Sequence, residues 1–124
     1  MAFVLVADDD GDIRELVAYK LAQGGHQVTV VEDGLAALDA VRDGSVELAL
    51  LDIRMPGMSG LDVCRELRAA PETETLPVIL LTARSQEGDV ETGFAAGADD
   101  YIIKPFSPRE LSSRVEAALA RARR

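Results

Sequence analysis

One cysteine, one histidine and no tryptophan occur in this chain of 124 residues. The lone cysteine, Cys64, cannot close an internal disulfide, which fits a reducing, cytoplasmic setting. One imidazole, His26, and one thiol exclude a zinc site built from several such ligands. No apolar run approaches the ~20 residues that span a bilayer, and no basic segment precedes an apolar stretch at the N-terminus. Positive charge is scarce as well: 13 Lys+Arg face 22 Asp+Glu, a formal net charge of −9. Such an excess argues against a nonspecific nucleic-acid binder, which must neutralise phosphates, and against docking on an anionic membrane. Internal repeats, low-complexity tracts and linker-like breaks are absent. With 48% hydrophobic residues the chain has the apolar content to fold unaided, and its length predicts a single domain over residues 1–124.

What is present is an alternation of two patterns. Phe3 to Ala7, Val28 to Val31, Leu48 to Leu51, Val78 to Leu81 and Tyr101 to Ile103 are short, nearly continuous apolar runs. They suit strands buried on both faces of a parallel sheet. Between them, Ile13, Leu16, Val17 and Leu21 share one helical face, ended by Gly24-Gly25. Leu35, Leu38 and Val41 make a second face closed by Gly44, and Leu61, Cys64 and Leu67 a third that runs out before Pro71. A fourth helix, about Gln86 to Ala96, carries Gly88 and Gly93; each interior glycine costs ~1 kcal/mol relative to alanine, so it is expected to be the loosest. Ser107-Pro108-Arg109-Glu110 reads as a capping box opening a fifth helix, with Leu111, Val115 and Leu119 inward. Asp12 is expected to cap the first helix, Asp10 to be solvated, Cys64 to sit in the core and His26 to be exposed. The order is (βα)5, an α/β fold: a doubly wound parallel sheet of five strands with helices on both faces. Such sheets bind ligands at the carboxyl ends of their strands.

Those ends are polar. Asp8, Asp9 and Asp10 follow the first strand, Asp52 the third, Thr82 the fourth and Lys104 the fifth. Carboxylates gathered at one edge raise one another's pKa, and a hard divalent cation relieves the repulsion. Mg²⁺, which takes one or two carboxylates and keeps several waters, suits an open cluster. A calcium loop does not fit, because aligning Gly11 with the loop glycine puts Val6 and Val17 at the first and last ligand positions. Lys104 is one of only two lysines in a chain with 11 arginines, and a compact ammonium suits phosphate. Carboxylates, a cation, a lysine and a hydroxyl together point to phosphoryl chemistry with an aspartate as nucleophile.

VLVADDD, LALLDIRMPGMSG, VILLTAR and GADDYIIKPFSPREL, four ordered motifs at strand ends, resemble the receiver domain of two-component response regulators over essentially the whole chain. The resemblance implies a flavodoxin-like sheet of strand order 2-1-3-4-5. It implies that Asp52 accepts a phosphoryl group from a sensor histidine kinase or a phosphotransfer protein. Asp9 and Asp52 would bind Mg²⁺ (or Mn²⁺) directly with the backbone carbonyl of Arg54, and Asp8 mainly through water. Lys104, Thr82 and the backbone of Ala83 would hold the phosphoryl group, Thr82 and Tyr101 would form the switch pair, and the Lys104–Pro105 peptide would be cis. Arg54 and Arg84 would border the site and influence phosphodonor entry and hydrolysis. The response would be expressed on the fourth helix, fifth strand and fifth helix, to control an output domain or partner.

FSPREL followed by Arg114, Arg121, Arg123 and Arg124 resembles the winged-helix transcription-factor branch, whose receivers dimerise through that surface. Asp100 with Arg114, and Glu110 with a basic residue of the fourth helix, would pair across the dimer. The sequence departs from that branch at Val90 and Glu91, where a lysine or arginine is usual. No nucleic-acid binding by this chain is expected, and no enzyme activity beyond its own phosphoryl transfer and loss. Asp8-x-Asp10-Gly11 also resembles the first motif of haloacid-dehalogenase-type phosphatases. Asp12 in place of threonine, and the lack of a late acidic motif and a cap domain, oppose that reading. The complete acidic set with Lys104 opposes a receiver-like module that only binds partners.

Overall fold

The computed structural model describes residues 1–83 and 92–122. Along it run β1 (Phe3–Ala7), α1 (Gly11–Gln23), β2 (Gln27–Val31), α2 (Gly34–Ala40), β3 (Leu48–Asp52), α3 (Gly60–Ala69), β4 (Val78–Ala83), β5 (Asp100–Lys104) and α5 (Pro108–Ala122), with residues 92–95, α4, helical before β5. All strand pairs are parallel and the sheet order is β2-β1-β3-β4-β5, as expected.

Alternation along each strand divides the core in two, because successive side chains point to opposite faces. Val4, Val6, Leu48, Leu50, Ile79, Leu81 and Ile102 pack under Val17 and Leu21 of α1 and Leu111, Val115 and Leu119 of α5. Leu5, Ala7, Ala49, Leu51 and Leu80 pack on the other face under Ala37, Val63, Cys64 and Leu67 of α2 and α3. The central β3 is buried along its whole length, whereas the edge strand β2 is half-buried to exposed. Two polar ends therefore arise on the inner strands: Asp52 closes β3, and Asp8 follows β1 directly.

Several local expectations are corrected. Asp10, not Asp12, caps α1: its carboxylate accepts from the backbone N–H groups of Asp12 and Ile13, and Asp12 sits in the first turn. His26 is buried rather than exposed, with Nδ1 accepting from the Ala2 N–H and Nε2 paired with Glu116 at 2.7 Å. Leu16 and Leu35 face solvent, and α2 buries Ala37 instead. At α5, Ser107 Oγ accepts from the Glu110 N–H, but the Glu110 carboxylate turns to Arg114, so only half of the capping box forms. Arg84, Gln86, Gly88, Val90, Glu91, Arg123 and Arg124 lie outside the described residues. Among the described residues no helix is long and apolar enough to cross a membrane.

Candidate functional site

At the carboxyl edge of the sheet three aspartates converge. Carboxylate oxygens of Asp8, Asp9 and Asp52 lie within 4.8 Å of one another, the one such acidic group among the described residues. Parallel registration produces this. Ala7 pairs with Leu51, so the residues that follow, Asp8 and Asp52, emerge side by side at the same height. The two differ in freedom. Asp8 is wholly buried: its N–H donates to the Val31 carbonyl, Oδ1 accepts from the Asp10 N–H at 2.9 Å, and Oδ2 accepts from Lys104 Nζ at 2.9 Å. Asp9 is exposed, and Asp52 opens slightly to the surface at 6%.

Lys104 arrives from the end of β5, with Nζ 2.9 Å from Asp8 and 3.4 Å from Asp52. Its peptide to Pro105 is cis, as expected. Burial works against the ammonium. The hydrogen bond to Asp8 and the charges of Asp52 and Asp8 outweigh it, so the Lys104 pKa lies above its ordinary value. For Asp52 the balance tips the other way. Burial, then the charge of Asp8, push its carboxyl up to about 7 against the pull of Lys104 and the Arg54 N–H. The Asp52 carboxyl thus holds its proton to higher pH than an ordinary carboxylate, and a bound cation would favour its ionised form.

The donor set fits such a cation. Mg²⁺ takes oxygen ligands at about 2.1 Å in an octahedron, which sets ligand oxygens at most about 4.2 Å apart. The carboxylates of Asp9 and Asp52 already come within 4.8 Å of each other and of Asp8, so a small contraction would let Asp9 and Asp52 bind directly, with Asp8 close enough to act through water. The exposed side of Asp9 leaves room for waters.

Thr82 lies beside this cluster on β4, 2% exposed, its hydroxyl donating to the Ala83 carbonyl at 3.4 Å. Tyr101 is half-buried on β5, and its ring meets Phe94 of α4 edge-on with centroids 5.4 Å apart. Thr82 and Tyr101 line a shallow recess together with Ile53, Leu80 and Gly93. Asp100, Glu110 and Arg114 form a cluster away from the acidic edge. Within the single chain Arg114 donates to both oxygens of Asp100, at 3.0 and 3.1 Å, and to Glu110 at 3.4 Å.

Two supporting residues escape the sequence reading. Gly60 opens α3 where the Asp52 carbonyl leaves no room for a Cβ, so the helix packs directly on the backbone carrying Asp52. Only the glycine in the loop motif hints at that. Arg14 donates to the Asp8 carbonyl at 2.8 Å and pairs with Glu32, a contact between loops that no local spacing announces.

Residues 4–116 match the family described as response regulator receiver domain. The DNA-binding response regulator MtrA of Mycobacterium tuberculosis is 47% identical over 118 residues, covering 95% of this chain and 50% of that protein. The sensory transduction protein RegX3 of the same species is 44% identical over 121 residues, covering 98% of this chain and 52% of that protein. The chain thus spans about half the length of the curated relatives it matches. A crystal structure described as a response regulator from Chloroflexus aurantiacus J-10-fl superposes with a TM-score of 0.93 at 35% identity, covering 96% of this chain and 98% of that one.

Proposed function

The chain belongs to the response regulator receiver domain family, and on that premise we propose that it is a Mg²⁺-dependent switch in two-component signalling whose phosphoryl acceptor is Asp52. The observation that carries the assignment is the contrast between two neighbouring carboxylates. Asp8 is wholly buried with both oxygens engaged, whereas Asp52 reaches the surface between Asp9 and Lys104. The same contrast disfavours the phosphatase reading, which needs Asp8 as its nucleophile.

Asp9, Asp52 and the Arg54 carbonyl would hold the cation directly, with Asp8 contributing through water. Bound there, Mg²⁺ supplies positive charge that neutralises the carboxylates and the incoming phosphoryl oxygens. Ionised Asp52 attacks the phosphorus of a phosphohistidine. The new O–P bond forms as the P–N bond breaks, and the imidazole leaves with the electron pair and takes up a proton. Lys104, now 3.4 Å from Asp52, would turn from the carboxylates to a phosphoryl oxygen, and the Ala83 N–H and Thr82 hydroxyl would donate to others. Rotation of Thr82 away from the Ala83 carbonyl would clear space beside Tyr101, whose ring would move inward from Phe94. The α4–β5–α5 surface would then change for an output domain or partner. Charge-assisted contacts are adequate for this, because moving a two-state equilibrium from 1:99 to 99:1 needs about 5.5 kcal/mol.

Transfer from a phosphorylated histidine kinase or histidine phosphotransfer protein tests the reading. Label should leave the histidine for wild-type protein with Mg²⁺ and stay there for Asp52→Asn or with EDTA. Equal transfer to Asp52→Asn would overturn the assignment.

A further inference from the structure

We propose that Arg14 is a positioning residue of the cation site, a two-point clamp that fixes the direction in which Asp9 offers its carboxylate. The inference rests on the Mg²⁺ reading above. Arg14 stands one turn inside α1, its N–H bonded to the Asp10 carbonyl, and its side chain folds back over the loop between β1 and α1. Nη1 donates to the Asp8 carbonyl at 2.8 Å, and Nη2 meets Glu32 Oε1, just beyond β2, at 3.3 Å. The Arg14 side chain is only 19% exposed. Around it, Asp8 is tied to three other places: the Val31 carbonyl, the Asp10 N–H and Lys104.

The carbonyl that Arg14 grips belongs to the peptide plane joining Asp8 to Asp9. That plane is rigid, so holding its oxygen fixes the Asp9 N–H and restricts where the Asp9 side chain can project. Asp9 is exposed, and its direction depends on the backbone that carries it. A charge-assisted bond at 2.8 Å to that backbone orders the site before the cation arrives.

A second effect opposes the first. A guanidinium beside a cation site repels the cation. Here Glu32 neutralises it, and the pair adds little net charge, so positioning outweighs repulsion. Lysine could supply the charge but not the fork, since only a guanidinium donates from two nitrogens in fixed relative geometry.

Isothermal titration of the full chain with Mg²⁺ alone separates the possibilities. Groups that orient metal ligands typically cost about 10- to 100-fold in affinity when removed, and both Arg14→Met and Arg14→Lys should weaken Mg²⁺ binding by at least about 10-fold. Circular dichroism and the apo thermal midpoint check that each variant is folded; if Arg14→Met is not, Arg14→Lys decides alone. Unchanged or tighter binding in Arg14→Met, or wild-type affinity in Arg14→Lys, would overturn the clamp. Whether wild-type protein gains a phosphoryl group is read separately by intact mass, so the functional reading can fail without touching this result.

Discussion

Replacing Asp52 by asparagine removes the carboxylate that suffers most from its surroundings, and the apo protein should respond with a pH-dependent gain in stability. In the fold the Asp52 carboxyl titrates near 7 instead of 3.8, burial and Asp8 being the main causes. The folded state therefore holds a proton that the unfolded state has released between those two values. Stability is then lost as pH rises from about 4 to about 7, and is constant above. At about 1.4 kcal/mol per pH unit the full span bounds the penalty at roughly 4 kcal/mol. Measurements should stay above the sequence pI of about 4.5, where solubility is poor. From about pH 5 to about pH 8, wild type should lose roughly 2 to 3 kcal/mol relative to Asp52→Asn. Urea unfolding in EDTA at steps across that range reads the difference directly. Mg²⁺ at about 100 times its Kd should return about 2.7 kcal/mol to wild type and much less to the variant. Parallel pH profiles for the two proteins would refute the reasoning, because they would mean that Asp52 titrates alike in both states.

Other perturbations follow from the same contacts. Lys104→Met leaves Asp8 buried without its cation and should destabilise the apo protein at neutral pH by about 3 kcal/mol. A cycle with Asp8→Asn should be strongly non-additive, since the pair acts as a unit. Gly60→Ala forces a Cβ against the Asp52 carbonyl and should cost about 1 to 3 kcal/mol by denaturant midpoint, with weaker Mg²⁺ binding. Cys64 is fully buried and its thiol is pushed up by burial, so a maleimide should label it slowly in native protein and rapidly in urea.

Much of this architecture was legible because periodicity and strand-end chemistry are local signals. The runs at Phe3–Ala7, Leu48–Leu51 and Val78–Leu81 have no polar interruption and suit strands of a sheet covered on both faces. Strand order and the cis bond at Pro105 came through resemblance of whole motifs, beyond what spacing alone can say. Individual side chains were less readable where tertiary partners decide. Asp12 is the expected cap of α1, but the side chain that caps it is Asp10, whose own N–H is held by Asp8. His26 is expected to be exposed, yet Ala2 at the start of the chain and Glu116, 90 residues away, make it a buried tie. Leu35 fits a helical stripe but faces solvent, because α2 is short and packs through Ala37 instead. Arg14 carried no spacing signal at all, since its partners Asp8 and Glu32 lie on separate loops.

The most direct test of the central claim is intact mass after incubation with acetyl phosphate and Mg²⁺. Wild-type protein should gain one phosphoryl group, lose it slowly after the donor is removed, and gain none in EDTA. Asp52→Asn should gain none under any of these conditions. A phosphoryl group on Asp52→Asn equal to that on wild type, or none on wild type with Mg²⁺ present, would contradict the account.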